Sequence, residues 1–367
     1  MATTKIRQVT EFLETVAPRA YQESYDNSGL LTGSPEWEVS GVLVTLDCLE
    51  AVVDEAIRLK NNLIVAHHPI LFRGQKKLTG ETYVERTLIK AIKNDIAIYA
   101  IHTNLDNVPD GVNRKIAERI GLARLKILDP RKDTLLKLVT FIPTTHAGPV
   151  IQALNDAGAG NIGRYKNCSF QVIGTGSFQP GEGALPFSGT KGELEKVEEV
   201  RVELIFPSHL ERTVMNALIK SHPYEEVAHF ITRLENENQD VGAGLVGELS
   251  QSEEPMAFLQ RLKVAMNTSC IRHSALPSSP IKKVAVCGGS GSFLLPRAIT
   301  AGADVFVTSD FKYHEFFDAE GKIMIADIGH FESEQFTKEL LQEVLREKFS
   351  NFAINFSGTV TNPISYL

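Results

Sequence analysis

Short, uninterrupted apolar runs alternate with helical periodicity along this chain. Gly41-Val-Leu-Val-Thr-Leu46, Leu63-Ile-Val-Ala66 and Ile96-Ala-Ile-Tyr-Ala-Ile101 have no polar alternation, as in strands covered on both faces. Helical spacing over residues 49–60 and 82–94 separates them. Ile6, Val9, Phe12, Leu13 and Val16 mark an amphipathic helix at the start. Strands alternating with helices predict a mostly parallel sheet. The same character resumes late. Lys283-Val-Ala-Val-Cys287, Val305-Phe-Val-Thr308 and Ile323-Met-Ile-Ala326 read as strands, and residues 293–301 as a helix. Residues 331–349 predict one long helix with Phe336, Leu340, Val344 and Leu345 on one face.

The pattern changes between these halves. Strands are expected over 135–142, 168–178, 197–206 and 227–233, with helices over 147–157 and 210–221. That is a βαββαβ order, the ferredoxin-like split unit. Its middle loop, 179–195, is rich in Gly, Pro and Ser and is expected to be mobile. The fold expectation is therefore α/β: two halves, 1–127 and 236–367, forming one domain, with an α+β domain inserted at 128–235.

Composition narrows the setting. With 367 residues, 43% hydrophobic and 23% charged, the chain has the profile of an ordinary globular protein with two or three domains. No run reaches the roughly 18 apolar residues of a membrane span. The start lacks a signal-peptide pattern, so a cytoplasmic location is expected. A net charge of −7 gives little drive toward a phosphate backbone, which makes nucleic acid a weak partner. Cys48, Cys168, Cys270 and Cys287 are widely spaced and read as buried, reduced thiols.

Three strand ends carry candidate chemistry. His67 and His68 follow one apolar strand directly and precede Pro69. Neighbours on a regular strand face opposite ways, so they share a site only if the backbone turns there or if each serves a different ion of a pair. Otherwise one is buried and one exposed. Asp106 ends Ile101-His102-Thr103-Asn104-Leu105-Asp106; alone it would be a cap or turn former. His330 and Glu334, four apart, would share one helix face, as ion ligands or as an ordinary surface pair. Together these offer imidazoles and carboxylates suited to Zn, Fe, Mn, Co or Ni. His102, Asp310 and His314, the last at helical spacing from Asp310, are candidates for orienting ligands or moving protons.

These residues carry a resemblance. Tyr25-Asp26-Asn27-Ser28-Gly29-Leu30, Ala66-His67-His68-Pro69, Ile101 to Asp106, Thr308-Ser309-Asp310 and Gly329-His330 with Glu334 occur in the order seen in the NIF3-like family, also known as GTP cyclohydrolase I type 2. Tyr25 stands where that family often has Trp, and Ser309 where it usually has Gly. The resemblance implies two divalent ions held by His67, His68, Asp106, His330 and Glu334, and a toroidal homohexamer. It also implies that the 128–235 segment is the PII/CutA-like domain of longer bacterial members.

Function stays open at this level. Two ions would suit a hydrolase, and the family name implies opening of the GTP purine ring with release of formate. A phosphoester hydrolase would use the same ions, and a non-catalytic metal-binding or regulatory scaffold is the alternative. Gly158-Ala-Gly-Asn-Ile-Gly163 matches a dinucleotide pattern but follows a helix rather than a strand. Gly288-Gly-Ser-Gly-Ser292 follows a strand and reads as a tight turn or an anion cradle.

Overall fold

The computed structural model describes residues 3–367. By its internal contacts the chain forms two compact units. One comprises the chain up to Asp129 together with Asp240–Leu367, and the other is Pro130–Gln239.

The first unit is built on two sheets. One has the order Gly29–Thr32, Ala97–Ala100, Leu63–Ala66, Gly41–Thr45, Ala353–Phe356. All neighbours in it are parallel except the antiparallel edge strand Gly29–Thr32. The other runs Arg272–His273, Met324–Asp327, Val305–Ser309, Ile281–Ser290, Asn238–Glu253, Leu122–Arg131, with parallel pairing among Met324–Asp327, Val305–Ser309 and Ile281–Ser290.

The apolar runs are explained by two-sided burial. Val42, Val44, Leu63, Val65 and Tyr99 enter a central core, which Val284, Val286, Val305 and Val307 of the second sheet also enter. Their neighbours Leu43, Ile64 and Ile98 face away, onto Val52, Val53, Leu88 and Ala91 of the helices Glu50–Arg58 and Tyr83–Lys93. Ala285, Phe306 and Ile325 likewise face Leu295 and Ala298. The helix Ile6–Val16 adds Ile6, Val9 and Leu13 to the central core. Truncating wholly buried Leu13 to Ala would cost about 2–5 kcal/mol.

The expected long helix at 331–349 is two helices, His330–Glu334 and Thr337–Lys348. Gln335 marks the break, its Nε2 donating to the carbonyls of Met266 at 2.8 Å and Glu332 at 3.2 Å. Phe336, Leu340 and Leu345 reach the core from the second helix and its N-cap alone, so their periodicity carries no mark of the break that precedes them. The long strand Asn238–Glu253 is not announced by the sequence pattern, because Gly242 and Gly244 interrupt its apolar run. All four cysteines are free, but only Cys48 and Cys287 are buried, whereas Cys270 is exposed and Cys168 intermediate. Among the described residues no helix is long and apolar enough to cross a membrane.

The second unit has an antiparallel sheet in the order Phe170–Phe178, Glu195–Pro207, Leu135–Pro143, His229–Leu234. Val150 and Leu154 of helix Ala147–Asp156 and Val214 and Leu218 of helix Glu211–Ser221 pack with Leu136, Leu138, Val202 and Phe206. Alternation along the strands leaves the other sheet face without a helix.

Candidate metal centre

Every candidate side chain of the first unit except His314 lies at or beyond the carboxyl end of a parallel strand, where open α/β sheets place ligands. His67 and His68 extend Leu63–Ala66, their N–H groups donating to the carbonyls of Thr45 at 3.1 Å and Leu46 at 2.9 Å. His102 follows Ala97–Ala100, and Asp106 closes the short helix Thr103–Asp106. From the second sheet come Asp310, after Val305–Ser309, and the short helix His330–Glu334, after Met324–Asp327.

Four imidazoles share one arrangement, in which Nδ1 meets an oxygen. His67 Nδ1 donates to the Ile101 carbonyl at 2.9 Å. His68 Nδ1 pairs with Asp47 at 2.8 Å, His102 Nδ1 with Asp26 at 2.8 Å and His330 Nδ1 with Asp310 at 2.7 Å. An acceptor at Nδ1 keeps the proton there and leaves Nε2 as the free ring nitrogen. Nε2 of His67 lies 3.7 Å from Asp106 Oδ1 and 3.8 Å from Glu334 Oε1. Glu334 Oε2 lies 2.9 Å from His68 Nε2 and 3.1 Å from His330 Nε2.

These inward atoms face one another rather than the surrounding protein. His67 Nε2, His68 Nε2, Asp106 Oδ1 and Glu334 Oε2 are all buried without a hydrogen-bond partner. Orphaned buried polar atoms are costly and call for a missing partner. Four converging imidazole and carboxylate atoms are a donor set of the kind that holds a cation. Three overlapping ligand groups result: His67 with Asp106 and Glu334, His68 with His330 and Glu334, and His67 with His68 and His102. Such His and Glu groups could hold a metal ion.

The electrostatics follow from the same contacts. Burial lowers the His67 pKa and favours its neutral form. At His68 burial acts the same way, but the Glu334 and Asp47 carboxylates outweigh it and hold the pKa up at about 10. His330, against Glu334 and Asp310, is likewise raised to about 11 despite its burial. Burial and the Glu334 charge push Asp106 well above the usual carboxylate range. Burial opposes ionisation of Glu334 too, yet His330 and His68 hold it well below that range.

Two glycines make room for the acids. Gly289, at φ +61°, would set a Cβ 2.4 Å from Glu334 Oε1. Gly329, at φ +91°, would set one 2.2 Å from Glu332 Oε2. Within the Gly288–Ser292 turn the N–H groups of Gly288 and Gly289 are already used, by Asn113 Oδ1 and Ser333 Oγ, both at 2.9 Å. Asn113 also donates to the Asp106 carbonyl at 2.9 Å, tying the two strand-end loops together.

The match of the Duf34/NIF3 (NGG1p interacting factor 3) family model spans residues 4–363. The chain belongs to the NIF3 family. A Bacillus subtilis strain 168 protein named GTP cyclohydrolase 1 type 2 homolog is 40% identical over 367 residues, covering 98% of each chain. The crystal structure of a Bacillus cereus protein related to NIF3 superposes with a TM-score of 0.88 at 38% identity, over 100% of both chains. A Staphylococcus aureus crystal structure gives 0.79 at 30% identity, again over the full length of both.

In this NIF3 chain the strand ends bring together His67, His68, His102, Asp106, His330 and Glu334, with Asp310 behind His330. His314 stands apart. It is exposed on the 3-10 turn Tyr313–Ala319, its ring against Tyr313 and Phe317. The helical spacing expected from Asp310 is absent because Asp310 is left-handed, at φ 60°, and Lys312 is extended. Sequence reasoning missed Asp47 and Asp26 as histidine partners. Asp47 follows Gly41–Thr45 by two residues, so the strand-end rule that found the others would also have found it.

Proposed function

We propose that this chain is a hydrolase dependent on two divalent ions. His67, Asp106 and Glu334 would hold one ion, and His68, His330 and Glu334 the other, Glu334 being common to both. The observation carrying the reading is the set of four buried, unpartnered ligand atoms. Charge supports a pair of ions. Five carboxylates (Asp26, Asp47, Asp106, Asp310 and Glu334) surround four imidazoles, and two divalent cations would offset four of the five negative charges. When bound, such ions supply Lewis acidity and neutralise developing negative charge.

The remaining work falls to the chain. Asp47 and Asp310 orient His68 and His330 and so act through them. His102, backed by Asp26, keeps one ring nitrogen free beside His67 and His68, and we assign it proton transfer. Asp26 is itself fixed, accepting from the Thr103 N–H at 3.0 Å. The name shared by the relatives supports a nucleotide substrate, with hydrolytic opening of the GTP purine ring and release of formate as the first reaction to test. The exposed aromatics Tyr313 and Phe317 beside His314 support burial of that surface in a homohexamer. The strand order and the two one-sided helices of the second unit support a ferredoxin-like, PII/CutA-like inserted domain.

The test is turnover by metal-loaded protein on GTP and on phosphodiesters. Formate release that disappears in Glu334→Ala, with the assembly state unchanged, supports the cyclohydrolase. Phosphodiester cleavage alone reassigns the substrate, and silence across the panel favours a scaffold.

A further inference from the structure

The second unit holds a cavity of about 1020 Å³ on the sheet face that the helices leave uncovered. Its walls include Phe141, Phe178, Phe187, Tyr224, Glu199 and Arg201. The loop after Phe178 covers it, anchored where the Leu185 N–H donates to Glu225 at 2.7 Å.

Glu199 is the unusual member. Its neighbours Val200 and Val202 enter the core beneath the helices, while Glu199 faces the cavity at only 8% exposure. Oε1 accepts from the Tyr224 hydroxyl at 2.9 Å, and among the described residues Oε2 accepts from none. A Cβ at Gly176, on the neighbouring strand, would lie 2.0 Å from Oε2, so a glycine there leaves that oxygen its space. Tyr224 is itself held. Its N–H donates to His222 Nδ1 at 3.1 Å, and His222 Nε2 donates to the Phe141 carbonyl at 3.0 Å.

Among the described residues no Lys or Arg forms an ion pair with this carboxylate. Arg201 is 2.8 Å from Glu203 and paired there. Glu225 and Glu226 add two further acids to the lining. With no protein donor on it, Glu199 Oε2 is open to a cation or donor that enters the cavity. Phe178 and Phe187 stand 6.2 and 6.0 Å from the Tyr224 ring, centroid to centroid, and aromatic faces attract cations.

We propose that this cavity binds a small organic cation with a flat hydrocarbon body, its protonated nitrogen donating to Glu199 Oε2 and its body lying among Phe141, Phe178, Phe187 and Tyr224. The site lies within the second unit and is independent of the metal reading.

The probe is phenethylammonium, titrated calorimetrically into the full-length protein beside neutral 2-phenylethanol and anionic phenylacetate. The cation should bind more tightly than the anion by about tenfold or more, as one charge-assisted hydrogen bond implies. Glu199→Gln, which preserves an acceptor for Tyr224, should weaken the cation by about tenfold while leaving the alcohol within about twofold. Phe187→Ala should weaken cation and alcohol alike. Equal affinity for cation and anion, no cation binding at millimolar concentration, or unchanged cation binding by a folded Glu199→Gln variant would each overturn the proposal. Should Glu199→Gln not fold, the charge preference of the wild type and the Phe187→Ala result decide.

Discussion

Glu334 Oε2 stands 2.9 Å from Nε2 of His68, yet the two atoms make no hydrogen bond. Both belong to one group of potential ligand atoms, with His330 Nε2 only 3.1 Å from the same oxygen. Because Glu334 belongs to two ligand groups and Asp106 to one, their removal should differ. Glu334→Ala should abolish high-affinity metal binding, whereas Asp106→Ala should retain one ion per chain. Metal content after gel filtration, with near-ultraviolet circular dichroism to confirm folding, checks this. Equal losses in the two variants would remove Glu334 from its shared position.

Asp47 and Asp310 make no contact with the ligand point and act through His68 and His330. Replacing either by Ala should lower metal affinity by about 10–100-fold. Competition with a chromogenic chelator measures this directly. Asn in place of Asp should recover part of the loss, since an amide oxygen still accepts the Nδ1 proton.

Metal loading should release protons. Without metal, His68 and His330 are held protonated up to about 10 and about 11, and Asp106 is raised well above its usual range. Each must lose its proton to act as a ligand, whereas His67 is already biased to the neutral form and Glu334 to the ionised one. Protons therefore compete with the metal, and affinity should rise with pH across the neutral range. Titration with Mn²⁺ in a pH-stat should release up to about three protons per chain. A pH-independent affinity would contradict this.

Gly289→Ala isolates the room made for Glu334. The left-handed backbone alone costs about 1–2 kcal/mol with a side chain, and the new Cβ would collide with the Glu334 carboxylate. Denaturant unfolding should show at least that loss, accompanied by lower metal content. The same change at Gly302, also left-handed at φ +69° but with open space where its Cβ would lie, should cost stability without loss of metal.

Much of this was legible in the sequence because the chemistry sits at strand ends. Apolar runs located Leu63–Ala66 and Ala97–Ala100, and the polar residues just beyond them became candidates. The long helix was misread because the apolar spacing from Phe336 onward belongs to the second helix alone and does not register the break at Gln335, whose side chain turns to the Met266 carbonyl. His314 was misplaced because spacing assumes a helix, and the left-handed Asp310 removes it. Asp47 stands at a strand end and was open to the same rule, but Asp26 and Asp47 lie 76 and 21 residues from their histidines, and no local pattern announces the pairings themselves.

The most direct test is anomalous diffraction from crystals of metal-loaded protein, recorded on both sides of the metal absorption edge. The account predicts two peaks per chain, one among His67, Asp106 and Glu334 and one among His68, His330 and Glu334. A fully loaded crystal with no peak in contact with Glu334, or with its ions bound elsewhere on the chain, would contradict it.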